Sequence, residues 1–106
     1  MTKLMIDPGP CNFKTLVTTE MNDDEQVNVT VATGCQSVNE MMGELGNEFD
    51  PYEVCLLKPG QGCFFSYASE HFPLHAACPV IGGIIKAIEV EAGLALPHNV
   101  SLTFEE

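Results

Sequence analysis

Two of the five cysteines in this 106-residue chain, Cys35 and Cys78, stand where helices are expected to begin. Cys35 follows Thr33-Gly34 and precedes Val38, Met41, Met42 and Leu45, an i, i+3, i+4, i+7 apolar stripe; Cys78 precedes Pro79 and an apolar stretch reaching Ala92. A thiol at a helix N-terminus meets free backbone N–H groups and the positive end of the macrodipole. Both favour thiolate, the form that ligates metals and attacks electrophiles. Cys11 and Cys63 share one property with them, a boundary position beside Gly or Pro: Gly9-Pro10-Cys11 and Gln61-Gly62-Cys63. Glycine beside a sulfur lets backbone N–H groups point at it, a usual device around zinc and iron–sulfur centres.

A site of Cys11, Cys35, Cys63 and Cys78 around zinc would carry about −2 of net charge. Two helix N-termini, each worth roughly half a positive charge, would offset about half of that excess. Tetrahedral thiolates suit zinc and iron–sulfur clusters alike, so both metals are carried forward, zinc first. Cys55, flanked by Val54, Leu56 and Leu57, reads as a core cysteine instead. His71 and His75 precede Cys78 by seven and three residues, which admits a ligand set or a base beside a nucleophile. A thiol enzyme or sulfur or cluster carrier is therefore the alternative, with Cys78 as nucleophile, His75 as its base, and Cys35 or Cys63 as resolving thiol. The plainest alternative is an interaction protein whose cysteines fill its core.

The elements that must position these thiols follow from periodicity and turn residues. Asp7-Pro8-Gly9-Pro10 is a rigid turn, and Phe13–Met21 is rich in Thr and Val, as strands are. Asn22–Glu25 is a turn, and Val27, Val29, Val31 and Thr33 alternate with polar or small residues, so the two segments form an antiparallel hairpin. Cys11 then precedes the first strand and Cys35 follows the second, which places both at one end of the sheet. A helix from Gln36 stops at Gly46; Asp50-Pro51 with Glu53 opens a short one. Phe64–Tyr67 reads as a brief extended piece and Ser69–Ala77 as irregular. The best-defined helix spans Pro79–Ala92, and Val100, Leu102 and Phe104 alternate as a final strand. The expected fold class is α+β, one domain over 1–106, with an antiparallel sheet of about three strands and two main helices packed on one face.

In order and spacing, Pro8-Gly9-Pro10-Cys11 before a strand, Gly34-Cys35 opening a helix with Asn39 soon after, Cys63 beyond a short helix, and Cys78-Pro79 opening the last helix resemble the TSCPD domain family. The likeness covers about residues 8 to 92, with the namesake segment reading Ala76-Ala77-Cys78-Pro79-Val80. Members are small stand-alone proteins or tails of ribonucleotide reductases whose four cysteines are thought to bind metal. The resemblance implies that role for Cys11, Cys35, Cys63 and Cys78.

Composition narrows the remaining choices. Four Lys, no Arg and fifteen acids give a formal charge of −11, which repels phosphate backbones and anionic membrane surfaces. Nucleic acid is excluded as a partner on that ground. The best apolar run is interrupted by Lys86 and Glu89, so no membrane span is expected. The N-terminal segment lacks a signal-peptide pattern, and five dispersed cysteines do not suggest a disulfide framework. A reducing cytoplasmic setting is expected. The reading is thus a cytoplasmic metal-binding module that is not an enzyme on its own, with a protein partner or a second copy of the chain left open.

Overall fold

The structure is a computed structural model in which residues 1–73 and 76–105 are described. Four strands, β1 (Thr2–Ile6), β2 (Thr15–Met21), β3 (Val27–Ala32) and β4 (Glu48–Phe49), form one antiparallel sheet in the order β1-β2-β3-β4. Four helices accompany it: α1 (Gln36–Leu45), α2 (Pro51–Cys55), α3 (Cys63–His71) and α4 (Val80–Glu91).

Period-two alternation fixes which face is covered. Ile6 pairs with Thr15, Leu4 with Val17 and Val17 with Val31, so inward residues form continuous rows across the sheet. The opposite rows, Lys3–Thr18–Thr30 and Met5–Leu16–Ala32, are exposed or half-buried. One face therefore meets helices and the other solvent, the usual economy of an antiparallel sheet. The β2–β3 turn is tied by Asn22, whose side-chain oxygen accepts from the backbone N–H groups of Asp24 and Gln26 at 2.9 and 3.1 Å. That Asx turn leaves Glu25 at φ 61°, a left-handed conformation that the turn imposes on a residue type that seldom adopts it.

Helix α4 is the main cover. Val80, Ile81, Ile84, Ala87 and Ile88 are buried, recurring at i, i+1, i+4, i+7 and i+8. The helix approaches β1 closely because position 83 is glycine: a Cβ there would lie 2.8 Å from Ile6 Cγ1. At its other end the Glu91 carboxylate accepts from the Thr2 hydroxyl at 2.7 Å and from the Met21 backbone N–H at 3.0 Å. Burial would raise that carboxyl, but the two hydrogen bonds and the nearby amino terminus outweigh it and hold the group below its ordinary value. Midway, the buried Thr19 hydroxyl donates to the Ala87 carbonyl at 3.3 Å.

Three sequence expectations change. Phe64–Tyr67 lies in the first half of α3 and is not an extended piece, because Phe64 is buried against Phe49, with ring centroids 4.9 Å apart. Residues Val100–Phe104 form no strand. They run beside the open edge of β1 without ladder bonds, leaving Val100 and Leu102 72% and 89% exposed. The sheet instead gains β1, whose only inward apolar residues are Leu4 and Ile6, and the two-residue β4.

Candidate functional site: a cysteine-bearing end of the sheet

The register locates the thiols. Ile6 pairs with Thr15 and Leu16 with Ala32, so β1 ends, β2 begins and β3 ends at one edge of the sheet. Cys11 lies in the β1–β2 loop at that edge, and Cys35 immediately follows β3. Gly83, in the first turns of α4, sits against Ile6, which brings the start of α4 and the preceding Cys78 to the same end.

Local structure explains each placement. Cys11 is exposed in a turn closed by the Asn12 N–H donating to the Gly9 carbonyl at 3.0 Å, with Asn12 at φ 60°. Phe13 then lays its ring over Gly34, where a Cβ would come within 3.0 Å of the ring, so the Cys11 loop is packed on the residue preceding Cys35. Beneath them the Thr15 and Thr33 hydroxyls are hydrogen-bonded at 2.8 Å. Cys35 is the N-cap residue of α1, its side chain makes no capping bond, and its own N–H donates to the Thr33 hydroxyl at 3.2 Å. The Asn39 side-chain amide donates to the Thr33 carbonyl at 3.1 Å, fixing the first turn of α1 on the strand end. Cys35 and Cys78 are half-buried and pack on the core margin.

Cys63 stands apart from those three. It is exposed at the first residue of α3, and its neighbour Phe64 packs on Phe49, which pairs with Val27 at the opposite end of β3. Burial of the sulfur raises the Cys63 thiol, while the backbone N–H groups of Phe64 and Cys63 pull it back toward thiolate. The glycine beside it meets a packing need as well: Gly62 has φ 99°, and a Cβ there would lie 2.8 Å from Leu57 Cδ1. Among the described residues, no three His, Cys, Asp or Glu side chains are grouped to hold a metal ion.

The histidines divide. His71 closes α3, its Nδ1 within 3.1 Å of the Tyr67 carbonyl oxygen and its ring stacked on Tyr67 at 4.2 Å. His75, the expected base beside Cys78, lies outside the described residues.

Cys55 is a structural thiol. It ends α2 and donates to the Ile85 carbonyl of α4 at 3.7 Å. Desolvation, with a smaller contribution from the Glu89 charge, pushes it up to about 11. A rise of about two units above an ordinary thiol lowers the thiolate fraction on the order of 100-fold near neutral pH. Iodoacetamide labelling followed by peptide mapping should therefore find Cys55 last and Cys11 among the first. Labelling of Cys55 as fast as Cys11 in the folded chain would contradict this placement.

An α+β domain with one helix-covered sheet face, carrying three cysteines around one sheet end, is the class these observations define. Residues 2–104 match the model of a family of unknown function, DUF6951, and the chain belongs to that family. This overturns the TSCPD resemblance, which rested on the order and spacing of cysteines beside Gly and Pro, a pattern that short turns before strands and helices produce in unrelated domains. No curated protein and no solved structure matches the chain. None of the helices among the described residues is long and apolar enough to cross a membrane.

Proposed function

We propose that this chain is a small binding module that captures a thiophilic metal, zinc or an iron–sulfur cluster, through Cys11, Cys35 and Cys78, and that it is not an enzyme on its own. The observation that carries the reading is the shared position of these thiols at the sheet end where β2 begins, β3 ends and α4 starts. The donor chemistry fits: thiolates at helix starts receive partial positive charge from the backbone, and three protein ligands leave a position for water or a partner's group. Holding one metal requires Cys11, Cys35 and Cys78 to close further on one another, since among the described residues no three ligand side chains are already grouped. Cys63 remains the candidate fourth ligand, and its recruitment requires the start of α3 to approach.

Elemental analysis of protein purified without oxygen tests this reading. Wild type should carry close to one metal centre per chain, Cys35→Ser and Cys78→Ser should lose it, and Cys55→Ser should keep it. The Cys63→Ser variant separates a three-thiolate from a four-thiolate centre. Equal metal content in all variants would remove the proposal, and reversible peroxide-sensitive labelling of Cys78 alone would favour the thiol-carrier reading.

A further inference from the structure

Two features of this chain are unmated, and each has the form of the other's partner. β1 is the outermost strand of the sheet, so its free edge presents a row of backbone N–H and C=O groups without ladder partners. Residues 100–104 carry the alternation of a strand, with Val100 and Leu102 mostly exposed and Phe104 fully so. Of the twelve large apolar side chains exposed among the described residues, five lie in the eleven residues from Leu94 to Phe104. Single exposed apolar residues need no explanation, but a concentration of this kind marks an interaction surface.

A groove of about 500 Å³ separates the two features, with Leu4 and Ile6 on one wall and Val100 and Leu102 on the other. A residue within a sheet occupies roughly 160 Å³, from a rise of about 3.4 Å, a strand spacing of about 4.8 Å and a layer depth of about 10 Å, so the groove holds about three residues of extended chain. Direction decides which chain fits. Pro97, His98 and Asn99 share a cleft with Thr2–Leu4, and Val100 and Leu102 share the groove with Leu4–Asp7, so the segment runs in the same direction as β1. Closing it onto β1 of its own chain would add a parallel strand to a sheet that is antiparallel throughout and open on one face, an arrangement parallel strands avoid. The same segment from a two-fold-related copy runs the opposite way and makes an antiparallel ladder.

We propose that the groove receives residues 100–104 of a second copy of this chain, in a reciprocal exchange about a two-fold axis. The sheet then continues from β1 through the partner's segment and the chain's own segment to the partner's β1, with every neighbour antiparallel. Donor segment and acceptor edge lie on one chain, so a second copy satisfies both at once, whereas a foreign peptide would fill the groove and leave the outer edge of 100–104 unpaired. Alternation requires inward residues to face inward ones. Of the registers that do so, the one setting Leu4 against the partner's Phe104 and Ile6 against the partner's Leu102 also sets Lys3 against the partner's Glu105 on the solvent face. Lys3 makes no ion pair among the described residues, while Lys86 is held by Glu89 at 3.5 Å. Residues 92–104 contain no Asp, Glu, Lys or Arg, so in a chain of net charge −11 the exchanged segments meet without like-charge contact.

Sedimentation equilibrium of the reduced, chelator-treated full chain tests the proposal, since chelation removes any dimer bridged by metal. Wild type should show a monomer–dimer equilibrium. Leu102→Asp alters an exposed side chain and should give a folded monomer. Lys3→Glu sets like charges opposite each other and should raise the dimer dissociation constant about tenfold or more, and combining it with Glu105→Lys should restore the wild-type value. A dimer that Leu102→Asp leaves unchanged, or a double charge exchange that restores nothing, would overturn the proposal. A wild-type monomer at millimolar concentration would leave the groove to another partner and equally overturn it, as would a monomer whose Ser101 and Thr103 amides are protected from exchange by pairing within their own chain.

Discussion

Truncation of Phe64 to alanine is expected to remove about 3–5 kcal/mol of stability, the range for buried aromatic side chains. Phe64 is 1% exposed and the largest fully buried side chain among the described residues. Its ring also holds Phe49, whose strand β4 has only two residues and pairs with Val27 and Asn28 at the sheet edge. Loss of the ring therefore leaves a cavity and frees the edge strand together. For a domain of this size, total stability is on the order of 5–15 kcal/mol, so the loss is a large fraction of it and reaches the folding threshold at the low end of that range. Urea unfolding of wild type and variant measures the difference, and a loss below about 1 kcal/mol would show that α3 does not pack where the structure places it.

The second large effect is at Gly83. Valine there forces branched carbons into the space of Ile6, and overpacking of this kind costs about 1–3 kcal/mol or more, with β-branching adding to the strain inside a helix. Alanine at the adjacent Gly82 enters open space and should raise stability by up to about 1 kcal/mol through helix propensity alone. Opposite signs at neighbouring glycines are the signature of the close α4–β1 approach. Thermal unfolding of the two variants reads them directly, and equal shifts of the same sign would contradict that approach.

The hairpin of β2 and β3, α1 and α4 were legible because each is long enough for its period to repeat: Val27, Val29 and Val31 alternate, and the α4 stripe persists from Val80 to Ile88. Elements that depend on a distant partner were not. In β1 the inward apolar residues are only Leu4 and Ile6, too few for alternation to register, and β4 exists only because Val27 and Asn28 present an edge to it. Conversely, Val100, Leu102 and Phe104 carry the alternation of a strand without ladder partners among the described residues. Alternation states which face would be buried if a strand pairs, and pairing itself is a tertiary matter. The α3 helix was obscured because its nine residues bury one side chain and include two adjacent phenylalanines, which suit a strand equally well.

The same division holds for the site. The hairpin alone required Cys11 and Cys35 to share a sheet end, and the direction of α4 brings Cys78 there. The position of Cys63 could not be read from its glycine loop, since it depends on the Phe64–Phe49 contact between segments whose pairing only the fold decides. Which of the two α4 glycines packs and which faces open space depends on the position of Ile6, a tertiary contact that sequence periodicity does not reveal.

Cobalt(II) titration of the reduced chain, read by thiolate-to-metal charge-transfer absorption, addresses the cysteine module most directly. Tetrahedral cobalt stands in for zinc and reports sulfur ligation in its spectrum. The band should saturate at one cobalt per chain, persist in Cys55→Ser and collapse in Cys11→Ser, Cys35→Ser and Cys78→Ser. No band in the wild type, or an unchanged band in those three variants, would contradict a metal held by these cysteines.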